Sequence, residues 1–525
     1  MNGDRPTEVT ALLDRARSPD AHFLPSIAPT LAHVDTLDVQ HITADDLCPY
    51  ELSDRPAEVA YSLIVLLQLR ANHISRPATA SARNPWEQWK QEEEDSGDIE
   101  VLETQIDSLW RLFVAEYRTL REIEDLLWLA FPENDDSRSR SLRGNIYAAH
   151  SLDFFSPTFL QVVDFLYHED GPQAFVTHRL VSIALLRRWR DGRLPPLEHW
   201  ASISPQILVE RYENLCTPRV LHLLDISCQV TSLCLLASYL LYPPIVSIVE
   251  PSVVPNHGVR EAFIVVLSAS LAARPWSFLN IPPLFVFCAF LFSIPSIPIP
   301  GGNAFGLLHV AFALHVFNMH LPVAPSPLFL LPFDSALPFA TLLSQSTSTI
   351  LIPVLQFFFP VFLLGIILLS SSLVDTFTVT SLAAAWRDTT FFIIPPPIET
   401  RTTFLFFTLV TLVSFFSAIG LLVVFQPHHP GRTSTLARWD RYTTVVGIEA
   451  RRSLIRAVVT YSTPYTFPSP FNLAQLLLVK SPVTVMKLCR VDAGFMASFE
   501  RNLWRLLVGP FATALWAIFW AGGRK

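Results

Sequence analysis

The stretch SSLVDTFTVTSLAAAWRDTTFFIIPPPIETRTT, Ser371 to Thr403, decides how this chain is read. It is half polar and carries charge. Yet ILIPVLQFFFPVFLLGIILLS runs up to it, and FLFFTLVTLVSFFSAIGLLVVF follows it. Each flanking run is apolar enough and long enough for a bilayer, which takes about 20 helical residues. A polar segment between two such runs either stands in water beyond the membrane or dips back into it. At membrane depth it survives only if it is buried in protein or lines water.

The wider composition supports a membrane setting. Hydrophobic residues make up 50% of the 525 and charged residues only 16%, against about 25% in an average soluble chain, and mean hydropathy is +0.36. The charge deficit is local. Between Val220 and Phe425 the basic residues are Arg260, Arg274, Arg387 and Arg401, and the other 34 of the 38 lie outside. One apolar block flanked by two water-facing regions follows. The net charge of −8 argues against a nucleic-acid partner, which requires a basic face. The opening MNGDRPTEVTALLDRARSPD has no apolar core of a signal peptide, so the charged N-terminal region is expected to stay in the cytosol. Cys48, Cys216, Cys228, Cys234, Cys288 and Cys489 show no metal-type spacing and read as reduced and structural.

Up to about Pro218 the pattern is helical. RPAEVAYSLIVLLQLRANHIS is expected to start a helix after Asp54, with Pro56 in its first turn. Ile99, Leu102, Ile106, Leu109 and Phe113 recur at steps of three and four, and Leu120, Ile123 and Leu127 extend the stripe into one long amphipathic helix. The intervening SRPATASARNPWEQWKQEEEDSGDIE reads as an exposed loop. Its acids Glu92, Glu93, Glu94 and Asp95 lack the alternating ligands and central glycine of an EF-hand and read as solvated rather than calcium-binding. No metal site, cofactor or catalytic residue is expected.

Six spans are counted. VLHLLDISCQVTSLCLLASYLLY, Val220 to Tyr242, is the first, and the short EAFIVVLSASLAA the second. WSFLNIPPLFVFCAFLFSI is the third, with a kink expected at Pro282 and Pro283. NAFGLLHVAFALHVFNMHL is the fourth, and the two runs around Ser371–Thr403 are the fifth and sixth. SALPFATLLSQSTST reads as an interfacial helix. With an even count, Arg211, Arg219, Arg274, Arg432, Arg438 and Arg441 fall on the cytosolic side, as the positive-inside rule prefers. The Ser371–Thr403 loop then falls opposite, in the position of a pore loop or of an ordinary lumenal connector.

Several residues are candidates for function. Asp375 and Asp388 flank the short helix VTSLAAAWR, and Glu399 follows Pro395, Pro396 and Pro397; in a symmetric assembly such carboxylates form rings that concentrate cations. Thr408, Thr411, Ser414 and Ser417 make a three-residue polar stripe in the sixth span, suited to an aqueous lining or to a tight helix seam. Asp225 is the one acid in the first span and should face protein or water. His309, His315 and His320 are the titratable groups of the fourth span. His309 and His320 are expected to share a face, with His315 rotated away. Hydrogen bonding to a neighbouring helix is preferred for them over pH sensing or metal binding. The tail LWRLLVGPFATALWAIFWAGGRK is interrupted by Arg505 and Pro510. It is expected at the interface or packed on the bundle, with Trp504, Trp516 and Trp520 as anchors.

Three stretches carry a family resemblance. CPYELSDRPAEVAYSLIVLLQLRANHIS is similar to the start of the N-terminal linker-helical domain of the fungal vacuolar calcium channels, a branch of the transient receptor potential cation channels. VTHRLVSIALLRRWRDG resembles the helix that closes that domain. RYTTVVGIEARRSLIRAVVTYSTPYTFPSPFNLAQLLLV resembles the family's segment after the pore, with the PFNL turn at Pro470, Phe471, Asn472 and Leu473. The likeness runs from about Leu24 to Trp520. It implies a homotetrameric, calcium-permeable cation channel in the membrane of an acidic organelle, a vacuole, with calcium, monovalent cations and membrane lipid as its partners. The chain departs from the pattern in one place: Val374 to Thr402 contains no glycine, the residue that commonly lets filter carbonyls face an ion. The rival expectation is therefore a non-conducting, membrane-anchored adaptor. An enzyme is not expected, since neither HExxH nor GxSxG is present, and no pair of matching halves suggests a secondary transporter.

The fold expected is an all-α membrane protein in three parts. A cytosolic helical linker domain covers 1–217, a channel-like membrane domain of about six helices covers 218–426, and an amphipathic C-terminal segment covers 427–525.

Overall fold

The computed structural model describes, short gaps aside, residues 25–133, 159–192, 212–244, 258–348 and 438–522, with scattered helical positions between 409 and 420. The described chain is helical apart from one two-residue antiparallel strand pair, β1 (Phe131–Pro132) with β2 (Phe159–Leu160). It forms two compact units, Met1–Leu186 and Arg187–Lys525.

The first unit is built around helix α1, Arg55–Ser75. Every residue from Ala60 to Arg70 is buried, the mark of a helix enclosed on all sides rather than one with a single apolar stripe. Helices α2 (Pro85–Ala115), α3 (Leu120–Trp128) and α4 (Val162–Leu166) pack around it. α2 contributes Leu102, Ile106, Trp110 and Phe113, all buried. Trp110 lies 4.5 Å from the ring of Phe175 in α5 (Gln173–Thr177). Tyr61 donates from its hydroxyl to the carbonyl of Ser26 at 2.9 Å and shares a 2.7 Å hydrogen bond with Thr30.

Two expectations are corrected here. The acidic stretch before Ile99 is not a loop: α2 begins at Pro85 and runs through Glu92–Asp95. Glu and Gln are good helix formers, and acids in the N-terminal half of a helix suit its dipole. The stripe from Ile99 to Leu127 is not one helix either. It breaks after Ala115 and restarts behind Thr119, whose hydroxyl accepts from the Glu122 amide at 3.3 Å and donates to the Glu122 carboxylate at 2.9 Å. That Thr-x-x-Glu pattern is a helix-start signal, and periodicity alone hides it.

In the second unit, α6 (Pro218–Leu241) is 24 residues long with a hydropathy of 1.7. Among the described residues it is the one helix long and apolar enough to cross a membrane. Three shorter helices follow: α7 (Val259–Ala272), α8 (Ile281–Phe292) and α9 (Asn303–Asn318). Their shared core includes Leu236, Tyr239, Ile264, Phe290, Phe305 and Leu308, and the Tyr239 hydroxyl donates to the Pro298 carbonyl at 2.6 Å. The kink expected at Pro282 and Pro283 is not found. Both prolines sit in the first turn of α8, where a missing N–H costs nothing. α10 (Phe333–Ser346) packs along α11 (Thr444–Ser462). The C-terminal α12 (Gly494–Leu507) and α13 (Gly509–Gly522) follow, and α13 packs on α6. The fifth and sixth apolar runs lie outside the described residues, except for a few helical positions of the sixth.

Candidate functional site

Asp225 sits two turns into α6 and is 7% exposed. A carboxylate enclosed in an apolar helix packing must find partners or lose its charge. Three segments supply them. Arg274, just past the end of α7, gives Nη2 to Oδ1 at 2.7 Å. The Ser469 amide donates to the same oxygen at 2.7 Å. Tyr461, at the end of α11, donates its hydroxyl to Oδ2 at 2.8 Å. Burial, reinforced by the Asp225 carboxylate, holds the Tyr461 hydroxyl well above the usual phenol range, so it remains a donor. Charge-assisted bonds of this kind are the strong ones.

Further hydrogen bonds hold these partners in place. Arg274 Nε donates to Ser469 Oγ at 3.1 Å, and its carbonyl accepts from Asn280 at 2.9 Å. Asn472, in the PFNL turn, exchanges two bonds with Ser270 of α7: its Nδ2 donates to the Ser270 carbonyl at 2.7 Å, and its Oδ1 accepts from the Ser270 hydroxyl at 2.5 Å. One turn before Asp225, His222 Nε2 lies 3.0 Å from the Ser326 carbonyl, in the segment after α9. The His222 ring is flanked by Trp189 at 5.2 Å, Tyr461 at 5.2 Å and Phe329 at 5.5 Å. The node therefore joins α6, the turn after α7, the segment after α9 and the chain that leaves the sixth run.

Beside the node lies a cavity of about 130 Å³, lined in part by Arg188, Glu213, Cys216, Tyr461, Tyr465 and Trp504. Burial pushes the Cys216 thiol up to about 12, with Glu213 adding to it, which leaves no reactive thiolate. The C-terminal helices close over this region. Arg505 Nε pairs with Glu213 at 2.6 Å, and Trp504 Nε1 donates to the Thr466 carbonyl at 2.9 Å. Gly509 lies against the Tyr212 ring so closely that a Cβ would overlap its hydroxyl. Trp504 is thus buried in the packing, the second of the two placements expected for the tail, while Trp516 is half-buried and the side chain of Trp520 lies outside the described residues.

The other sequence candidates are distributed as follows. His309 and His315 are both buried in α9, and His309 meets Phe305 edge-on at 4.9 Å. His320 does not share their burial. The helix ends at Asn318, and His320 is exposed, its Nδ1 3.0 Å from the Val316 carbonyl; the face shared by His309 and His320 therefore does not exist. Asp375, Asp388, Glu399, Thr408, Thr411 and Ser414 lie outside the described residues, and Ser417 is helical and half-buried. Sequence reading singled out Asp225 but not Arg274 or Tyr461 as its partners. The available signal was the scarcity of charge: one acid in the first span and four basic residues in the whole apolar block. No protein-family model matches the chain, and no curated protein matches it.

Proposed function

We propose that the chain is a calcium-permeable cation channel of an organellar, vacuole-type membrane, working as a homotetramer with membrane lipid around six spans per subunit. The observation that carries this reading is the Asp225 node. It bonds four segments: the start of α6, the turn after α7, the segment after α9, and the chain after the sixth run. Where contacting segments stand at one face of a bilayer, an even number of crossings separates each from the next. In this reading the chain leaves and returns between each pair: through α6 and α7, through α8 and α9, and through the two runs around Ser371–Thr403. The proposed count is then six crossings, with Ser371–Thr403 on the opposite side. α7, α8 and α9, at 14, 12 and 16 residues, are shorter than the roughly 17–25 residues of an ordinary span, so this reading requires the bilayer to thin markedly around them. In this reading α11, which follows the sixth run in sequence and is tied through Tyr461 to Asp225, passes movement of that run to α6.

In this reading Asp375 and Asp388 form rings at the mouth of the pore, where a fixed negative charge favours divalent over monovalent entry. Current from purified protein in a planar bilayer, with calcium as the sole permeant cation, should appear as unitary steps. Under bi-ionic conditions Asp388→Asn should lower the calcium-to-potassium permeability ratio and Arg387→Gln should raise it, while Glu399→Gln should do less. An unchanged ratio in both Asp375→Asn and Asp388→Asn removes the carboxylate rings. The glycine-free loop favours a second reading, a membrane-anchored adaptor with the same six spans. Silence from folded protein in the bilayer leaves that reading standing and overturns conduction.

A further inference from the structure

His73, in the last turn of α1, is 7% exposed, and its Nδ1 is buried with no hydrogen-bond partner. That nitrogen faces two carboxylates of α2, with Asp95 Oδ1 at 3.6 Å and Asp98 Oδ2 at 3.9 Å. Both separations exceed a hydrogen bond, which closes at about 2.7–3.2 Å. They are close to what a shared cation requires: two ligand atoms each about 2.1 Å from a tetrahedral ion stand roughly 3.4 Å apart. All three donor atoms lie within 4.8 Å of one another.

The helices are held in the register that creates this cluster. Asp95 and Asp98 are three residues apart and share a face of α2. One turn before His73, Arg70 grips Glu103 of α2 through Nε at 3.1 Å and Nη2 at 2.5 Å, and also donates to the Asp170 carbonyl. This double contact fixes the two helices antiparallel and sets His73 opposite the aspartates. Exposure is graded across the cluster, with side chains 5% exposed for His73, 23% for Asp95 and 37% for Asp98. The imidazole forms the floor and the carboxylates the rim, so an ion can enter from solvent and keep a water as its fourth ligand.

We propose that His73, Asp95 and Asp98 form a site for a single divalent cation of the zinc class, clamping α1 to α2. The imidazole decides the class, since calcium and magnesium take oxygen ligands and imidazole suits zinc and its neighbours. The site escapes sequence inspection because its ligands come from two helices and its aspartates lie within an acidic run.

The test is titration of the full-length, detergent-purified, chelator-stripped protein with cobalt(II), which reports ligation by visible absorption, and with zinc as competitor. One equivalent should bind with the bands of a low-coordinate site, displaced by zinc, and zinc should raise the melting temperature. Asp98→Asn, at the exposed rim where folding is not at risk, should weaken binding tenfold or more and abolish the thermal shift. His73→Gln should do the same, while Glu93→Gln, exposed on the same helix, should change nothing. Absence of binding overturns the proposal. So does binding that Asp98→Asn and His73→Gln leave unchanged, or calcium binding as tight as cobalt.

Discussion

Asp225 shows what one carboxylate imposes on its surroundings. It accepts three hydrogen bonds from Arg274, Ser469 and Tyr461, and its removal leaves the largely buried Arg274 guanidinium without its partner. Truncating one member of a buried pair costs about 3–5 kcal/mol, whereas replacing both with apolar groups costs far less. Asp225→Ala should therefore lower the unfolding free energy in detergent by that amount, and Asp225→Leu with Arg274→Met by clearly less. Equal losses in thermal unfolding would show that the pair is not the source. Asp164 behaves differently. It accepts from the Gln161 amide at 3.1 Å, yet burial pushes its carboxyl up to about 6 from 3.8. The folded unit thus holds a proton that the unfolded chain releases near pH 4. Stability contributed by the neutral form is full below pH 4 and falls as pH rises to 6, by up to about 3 kcal/mol. Asp164→Asn should flatten that decline in melting curves taken between pH 4 and 7. The need for a partner at Asp225 is legible from the sequence, because an acid in an apolar helix is costly. The identity of Arg274, 49 residues away, is not.

At the scale of elements, α11 depends on one close approach. Gly447 passes so near Asp440 that a Cβ would overlap its carboxylate, and the Trp439 carbonyl would lie at 2.9 Å. That carboxylate in turn holds Arg451 through two bonds, at 2.8 and 3.2 Å, with the Arg451 guanidinium over the Trp439 ring at 5.5 Å. Gly447→Ala should cost about 1–3 kcal/mol as an overpacking change. In an Asp440→Ala background it should cost less, since neighbouring sites couple; additive losses in a double-mutant cycle would overturn the link. The elements misread from sequence share one cause. Periodicity detects an apolar face but not the point at which a helix starts or stops. Pro85 and the pair Pro282–Pro283 open helices because a first turn needs no N–H from them. Thr119 restarts a helix because its hydroxyl and Glu122 satisfy the exposed amides.

Across the whole molecule, the proposed six-crossing arrangement makes a direct prediction. With the six native cysteines replaced, single cysteines at Ser18 and Lys525 should be labelled by an impermeant reagent from the same face of sealed vesicles. One at Thr390 should be labelled from the other. Opposite accessibility of the two ends would exclude an even number of crossings. The division of the chain also differs in kind from a reading by composition. Composition changes at about 217 and 426, where apolar runs begin and end. Contacts instead divide the chain between Leu186 and Arg187 and gather the C-terminal helices with the apolar block in one unit, since Tyr461, Ser469 and Asn472 bond to α6 and α7.

The sequence by itself determined the helical character of the chain, the apolar block between Val220 and Phe425, and the helix Arg55–Ser75 with its start after Asp54. These depend on the composition and spacing of near neighbours, which local physics reads directly. Only the tertiary structure decided which helix would be enclosed on all sides, which arginine would answer Asp225, and that His73 would meet Asp95 and Asp98. Such pairings depend on register between helices. Register is set by packing and by bonds such as Arg70 to Glu103, between residues far apart in the chain, and no local pattern encodes it.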